Sequence, residues 1–397
     1  MKRRLLVVSE KLWPEGGGAE LATYLIIKML TQHFTVSVFT GTEFSRIDSA
    51  QVVYIPWLKA NSKLELWLKI AKNIGIIERS IRKHDIIYIP RASFPIVPIA
   101  KKFNKKVIVH LHDYIPISYN ALIPYCRKTG FRLKASTIEL EMLQHKNFVR
   151  AISAGFLSVP TTAFCKLWLN SADKIICVSK RQREIIESAA PELTNKLKVV
   201  YNPLPNLSIR EKKLLEDPTF LYLGGDSYIK GFHMFLKSSQ IFLRRKKSGI
   251  KFLLAGNFRY KEKQFIEKLN RRFNNAYSLL GLLKHEEVLK FHSISHALLF
   301  PSICEEPLPY VVMEAMIMGT IPIASMVGGV PEIVKGTYAE RMMFTPGDIK
   351  ELVDRMEVIT SLSKEELISI GTELRNISLE RFDNRAIKRE IAKIFEI

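Results

Sequence analysis

Short apolar runs alternate with longer amphipathic ones from Leu5 to Ala324, and this alternation restricts the fold more than any other feature of the chain. A strand covered on both faces reads as one continuous apolar run, and parallel neighbours need a crossover helix between them. Leu5–Val8, Thr35–Thr40, Val52–Ile55, Ile86–Ile89, Val107–His110 and Lys174–Val178 read as a first series of strands, with helices over Glu20–Leu30 and Leu64–Arg82. Thr219–Leu223, Lys251–Ala255, Ala297–Phe300 and Ile321–Ala324 form a second series. The pattern predicts an α/β protein with parallel sheets. Between the two series, Val199-Val200-Tyr201-Asn202-Pro203-Leu204-Pro205-Asn206 is rich in Pro and Asn, which mark turns, so the interdomain linker is placed there. The expected organisation is one domain over 1–203, a second over 204–380, and a helical tail from Arg381 to Ile397. With 397 residues, each domain is large enough to bury its own core.

Composition removes several classes. A hydrophobic content of 47% with 25% charged residues describes a globular chain rather than a disordered one. No apolar stretch is expected to reach bilayer length; Tyr24 to Leu30 is broken by Lys28. Met1-Lys2-Arg3-Arg4 followed by Leu5–Val8 mimics a signal peptide, but the apolar run is too short and reads as a buried first strand. Cys126, Cys165, Cys177 and Cys304 have no ligand or disulfide spacing and read as reduced thiols of a cytosolic protein.

The net charge of +21 is unevenly placed. Residues 1–200 hold 31 Lys+Arg against 15 Asp+Glu, and the remainder holds 29 against 24. Such asymmetry points the first half at a polyanionic surface: anionic lipid headgroups, a phosphate-bearing acceptor or nucleic acid. Aromatics interleave with lysines at Trp57-Leu58-Lys59 and Trp67-Leu68-Lys69, yet no nucleic-acid motif accompanies them, so nucleic acid is not the expected partner.

The residues richest in chemistry lie at 301–332. Glu306 and Glu314 stand eight positions apart, and Pro307 and Pro309 fit the first turn of a helix, where a missing N–H costs least. Helical rise would separate the two carboxylates by roughly 12 Å. A helix N-terminus between them favours an anion. Two hydroxyl-accepting carboxylates around an anion site match the sugar, diphosphate and ribose of a nucleotide-sugar. Two solvated glutamates on a surface helix are the plain alternative for the pair alone.

The full segment, Pro301-Ser302, Glu306, Glu314-Ala315-Met316, Gly319 and Gly328-Gly329-Val330-Pro331-Glu332, resembles the donor-site signature of family 4 glycosyltransferases, retaining enzymes of the GT-B fold. The resemblance implies two Rossmann-like domains facing across a cleft, with the tail returning to the first. It implies transfer of a sugar, hexosyltransferase-like and without metal, from a UDP- or GDP-sugar substrate to a hydroxyl acceptor, with no cofactor. Glu306 would hold sugar hydroxyls and Glu314 the ribose. Ser302, Leu308, Pro309 and Tyr310 would line the donor site.

Other pieces fall where the resemblance expects them. Gly16-Gly17-Gly18 follows the first strand and opens a helix, so that Gly17 and Gly18 can aim N–H groups at a phosphate. Lys230-Gly231 would neutralise the leaving diphosphate. Gly225 stands where the family usually has Arg, and Arg259 is a candidate substitute. In Val109-His110-Leu111-His112-Asp113, His112 matches the family's sugar- or phosphate-contacting histidine and would orient donor oxygens, while alternation points His110 at the core. Pro309 occupies a position that is often Gly in the family and removes one N–H, leaving those of Leu308, Tyr310 and Val311.

The expected partners are the nucleotide-sugar and a lipid-linked or glycan acceptor in glycan or glycolipid biosynthesis. The expected place is the cytoplasm, peripheral on the inner face of the cell membrane. Leu64, Trp67, Leu68, Ile70 and Ala71 share a helical face near Lys63, Lys69 and Lys72, which would meet an anionic membrane together with Lys101-Lys102 and Lys105-Lys106, or else form core. Two other readings stand beside the enzyme: a degenerate GT-B protein acting as a non-catalytic partner, and a basic nucleic-acid-binding protein.

Overall fold

The computed structural model of the protein describes residues 2–125, 133–205, 211–246 and 249–396. Met1, Cys126, Asn206 and Ile397 lie outside the described residues. Strands β1 (Arg4–Ser9), β2 (Thr35–Thr40), β3 (Ala50–Tyr54), β4 (Ile86–Ile89), β5 (Lys106–Leu111), β6 (Lys174–Cys177) and β7 (Leu197–Val199) form one sheet in the order β3-β2-β1-β4-β5-β6-β7. Strands β8 (Thr219–Tyr222), β9 (Lys251–Ala255), β10 (Tyr277–Gly281), β11 (Ala297–Phe300) and β12 (Ile321–Ala324) form a second, ordered β10-β9-β8-β11-β12. Every ladder is parallel. This is the two-sheet α/β architecture of a GT-B protein.

Alternation along the strands builds the layers. Leu5 and Val7 enter one core while Leu6 and Val8 enter another on the opposite face. The first of these cores runs through Val200 and Leu204 into Phe220, Phe252 and Met316 of the second half, so apolar packing is continuous across the linker. Each strand order reverses once, between β1 and β4 and between β8 and β11, and such switch points open crevices at the carboxyl ends. The loops carrying Gly16–Gly18, His112, Lys230 and Glu306 all leave carboxyl ends, after β1, β5, β8 and β11.

Several sequence expectations need correction. The helix expected over 64–82 is two, Lys63–Lys72 and Ile74–Arg82, because Asn73 leaves helical geometry at ψ 23° and its side-chain amide donates to Lys69 O at 2.8 Å. Its apolar face is divided: Trp67 and Ile70 are buried, with Trp67 edge-on to Trp168 at 4.9 Å, Leu64 is half-buried, and Leu68 and Ala71 are exposed. Lys63 donates to Tyr119 O, and burial pushes its pKa down to about 8. Lys101 and Lys106 are paired with Asp173 and Glu396, both at 2.8 Å. Finally, Phe148–Leu169 is a helix of 22 residues, long and apolar enough to cross a membrane by length and composition.

The C-terminal helix Asn384–Phe395 lies against the first sheet. Phe395 packs on Tyr88 and Phe34, with ring centroids 5.4 and 6.1 Å away. The Asn384 side chain exchanges two 2.8 Å bonds with the Leu204 backbone, fixing the helix to the linker. Phe395 is fully buried, so Phe395→Ala should cost about 3–5 kcal/mol in urea unfolding. A loss within about 0.5 kcal/mol, as for a surface position, would contradict this packing.

Candidate active site

A cleft cavity of about 340 Å³ lies between the halves. Gly18, Ala19, His112, Val178 and Asn202 wall it from the first half and linker, and Leu223, Lys230 and Glu306 through Val311 from the second. Glu306 Oε1 accepts from Lys230 Nζ at 2.6 Å and from Ser302 Oγ at 3.2 Å. Ile303 N donates to Ile229 O at 3.0 Å, which joins the loop after β8 to the loop after β11 and brings Lys230 beside Glu306. Gly328 and Gly329 buttress this loop: a Cβ on Gly328 would stand 1.7 Å from Glu306 O, and Gly329 N donates to the same oxygen at 2.9 Å. The spacing of the sequence motif is thus a packing requirement.

The helix near the glutamates starts later than expected. It spans Tyr310–Ile317, with Pro309 as its N-cap and Pro307 outside it, so neither proline sits in the first turn. The N–H groups of Tyr310 and Val311 open the helix at the cavity wall, where first-turn donors have no intrahelical acceptor. Tyr310 itself is a structural bridge, with its hydroxyl on Pro203 O at 2.6 Å. A Cβ at Gly18 would meet its ring at 2.9 Å.

His112 lines the cavity, and its Nε2 lies 3.4 Å from Thr23 Oγ1. Burial, with His110 and Arg91 adding to it, holds its pKa well below the imidazole range, so it is neutral at physiological pH. His110 is the core partner, bonded to Tyr88 OH at 2.9 Å, and burial pushes it down to about 3.

Ser302, Glu314, Gly17 and Gly225 do not reach the cavity wall. Ser302 is fully buried and positions Glu306. Gly17 donates its N–H to Glu20 at 2.8 Å in a helix cap. Glu314 is buried behind the cleft with Oε1 on His285 Nε2 at 2.7 Å. Gly225 has φ +57°, and a Cβ there would lie 2.6 Å from Asn257 O, so this backbone leaves no room for the usual arginine. Arg259 does not replace it, being turned outward and held by Asp226 at 2.7 Å.

Sequence reasoning missed Arg91, His285 and Asn202. Arg91 lies beneath the glycine loop, paired with Glu10 at 3.0 Å and with Glu20. Asn202 is buried at the cavity wall, and its Oδ1 has no hydrogen-bond partner among the described residues. Its place in the linker was visible in the sequence, but its exposure to the cleft was not.

Residues 16–205 match the family model described as Glycosyltransferase Family 4, and residues 206–373 match that described as Glycosyl transferases group 1. The chain belongs to the family 4 glycosyltransferases. An uncharacterized glycosyltransferase of Methanocaldococcus jannaschii is 26% identical over 288 residues, 68% of this chain and 66% of that protein. The chain therefore spans just under two thirds of that relative's length. Among solved structures, HepE of Anabaena in complex with UDP-glucose has a TM-score of 0.69 at 17% identity, covering 99% of both chains. Sucrose-phosphate synthase of Thermosynechococcus elongatus has a TM-score of 0.76 at 17% identity, covering 100% of this chain and 98% of that one. These neighbours share the GT-B fold.

One departure from the family pattern and one buried contact can be tested. Gly225→Arg, which restores the family's usual residue, should destabilise the fold by about 1–3 kcal/mol because of backbone strain. An unchanged melting temperature would mean that the loop after β8 adapts. The hydrogen bond that His285 donates to the Glu314 carboxylate raises the His285 pKa, against a smaller opposing effect of burial. A raised folded pKa stabilises fully below the unfolded value, about pH 6.5, and fades as pH climbs through the folded value. The stability difference between wild type and His285→Gln, followed by urea unfolding from acid to alkaline pH, should shrink as pH rises. A difference independent of pH would assign the contact to neutral packing alone.

Proposed function

We propose that the chain is a retaining, metal-independent hexosyltransferase that uses a UDP- or GDP-sugar and a lipid-linked or glycan hydroxyl acceptor. The Lys230–Glu306 pair carries this reading: it places one cation and one carboxylate on the same cleft wall, beside a helix N-terminus and opposite His112 and Gly18. A donor diphosphate would lie against Lys230, the Tyr310 and Val311 N–H groups and the glycine loop at Gly18, a preorganised site for the charge that grows on the leaving group. Taking Lys230 away from Glu306 would free that carboxylate for the sugar hydroxyls. Neutral His112 would orient donor oxygens. Glu314, which does not line the cavity, would have to exchange its bond to His285 to take ribose hydroxyls.

In the reaction, the acceptor oxygen bonds to the anomeric carbon on the face from which the phosphate departs. The carbon–oxygen bond to phosphate breaks with its electron pair going to the nucleoside diphosphate, one of whose oxygens takes the acceptor proton. The product keeps the anomeric configuration. Glycan or glycolipid assembly at the cytoplasmic face of a membrane is the setting that suits a basic first half.

Because HepE was solved with UDP-glucose, UDP-glucose is the first donor to try in a thermal-shift panel of nucleotide-sugars. Lys230→Ala should lower the transfer rate roughly 10²–10³-fold. Glu306→Gln should cripple transfer while leaving nucleotide affinity nearly intact. Glu314→Ala should weaken nucleotide binding by about 1.5–3 kcal/mol. Full turnover by Glu306→Gln would remove that residue from the site, and turnover abolished by EDTA would refute metal independence. The arginine missing at Gly225 favours one second reading, a non-catalytic partner; nucleotide binding without transfer or donor hydrolysis would establish it.

A further inference from the structure

The helix Phe148–Leu169 is built inside out for a water-exposed element. Its inward positions are small and buried, with Ala151, Ala154, Gly155, Ser158, Thr161 and Cys165 against the first half's core and the preceding helix Leu133–His145. Its outward face carries Val149, Phe156, Leu157, Val159, Phe164 and Leu167. Val149, Phe156 and Leu167 are 74%, 79% and 65% exposed. Taken at about 100° per residue, these positions share one arc, interrupted only by small residues and Pro160. A surface helix ordinarily presents its polar face to water, and a contiguous apolar patch of this size marks an interaction surface.

We infer that this face lies in the surface of an anionic lipid bilayer, the helix resting parallel to the membrane with its outer side chains among the acyl chains. Charge decides between lipid and a second copy of the chain. Two copies would each bring a net charge of +21, whereas the 31 Lys+Arg against 15 Asp+Glu of residues 1–200 complement anionic headgroups. Lys146 and Arg150 stand at the start of the helix, Arg150 also bonded to Glu141 at 2.7 Å. A mostly apolar cavity of about 260 Å³, lined by Ile138, Ile152, Gly155, Phe156 and Val159, opens beside the same face and suits an acyl chain. The helix does not span the bilayer: Cys165 and Leu169 are fully buried in the first half's core, and withdrawing them would unpack it.

This inference rests on the proposal that the acceptor is presented at a membrane, and it places the contact on this helix rather than on Lys63–Lys72. Vesicles of phosphatidylcholine alone, and of phosphatidylcholine with phosphatidylglycerol, test it by flotation at low and high salt. Wild type should float with the anionic vesicles, less so as salt screens the charge. Val149→Ser/Phe156→Ser/Leu167→Ser should lower the bound fraction roughly tenfold at low salt, since apolar burial adds to the electrostatic attraction. The three side chains face outward, so melting temperature and thermal stabilisation by UDP-glucose should match wild type, which separates this test from that of the transfer reaction. Triple-variant binding equal to wild type would overturn the role of the helix and leave a membrane contact elsewhere. Absence of wild-type binding to anionic vesicles would overturn it altogether, as would a wild-type dimer that the triple variant converts to monomer without any vesicle binding.

Discussion

Two carboxylates from the second half close on one helix of the first, and the cleft exists because of that grip. Glu332 accepts from the N–H groups of Lys180 and Arg181 at 3.0 and 2.9 Å, at the start of the helix Lys180–Ala189. These are donors that a helix cannot satisfy by itself, and the dipole adds to their attraction for an anion. Tyr201 of the linker donates to the same carboxylate at 2.9 Å. Glu305 takes Arg181 Nη2 at 2.9 Å and the Gly328 N–H at 2.5 Å. Glu305 and Glu332 therefore fix the loop that holds Glu306 to a helix of the opposite half, and the Gly328–Gly329 turn passes the constraint to the Glu306 backbone. Two of the residues that set the distance across the cleft, Glu305 and Tyr201, are immediate neighbours in sequence of Glu306 and Asn202, which line it.

Much of this was legible in the sequence because it depends on local rules. Parallel strands covered on both faces give apolar runs, and ten of the twelve strands among the described residues are read within a residue or two. The three-residue β7 was missed because it is too short to show a period, and β10 because Tyr277–Gly281 is only partly buried and has no unbroken apolar run. The donor-site motif was legible because its glycines and glutamates interlock over a short stretch. Arg91, Asn202 and His285 were not, because each acquires its meaning from a partner or cavity assembled by the fold. His285 meets Glu314 from a separate helix, and Arg91 meets Glu10 just after β1 and Glu20 in the first turn of the helix that follows.

The helices were read less well than the strands, for one shared reason. Periodicity shows that a helix has an apolar face but not what covers it. The Leu64–Ala71 stretch and the Phe148–Leu169 stretch both carry apolar residues at helical spacing. In the first, Trp67 and Ile70 go inward to meet Trp168 and the core around β4 and β5. In the second, small residues go inward from Ala151 to Cys165 while the large ones there remain outside, and only at the end do Trp168 and Leu169 join the core. Close packing explains the difference: Gly155 lets the Leu133–His145 helix approach until a Cβ would stand 2.7 Å from Ile138, and no large side chain fits between them.

Charge acts in this protein at two ranges. Inside the cleft and its walls the cations are committed at short range: Lys230 to Glu306, Arg181 to Glu305, Arg91 to Glu10 and Glu20. Each pair is nearly neutral at a distance, so the cleft does not produce the surplus of the first half. That surplus belongs to the outer surface, where its field reaches about a Debye length, roughly 8 Å at physiological ionic strength. A nucleotide-sugar entering the cleft would have to exchange with a local ion pair, a short-range and geometrically selective event. An extended anionic surface needs no such geometry and would respond to the summed charge alone. Selectivity for a small anion and attraction to a large one are thus carried by different residues, and a substitution can alter one without the other.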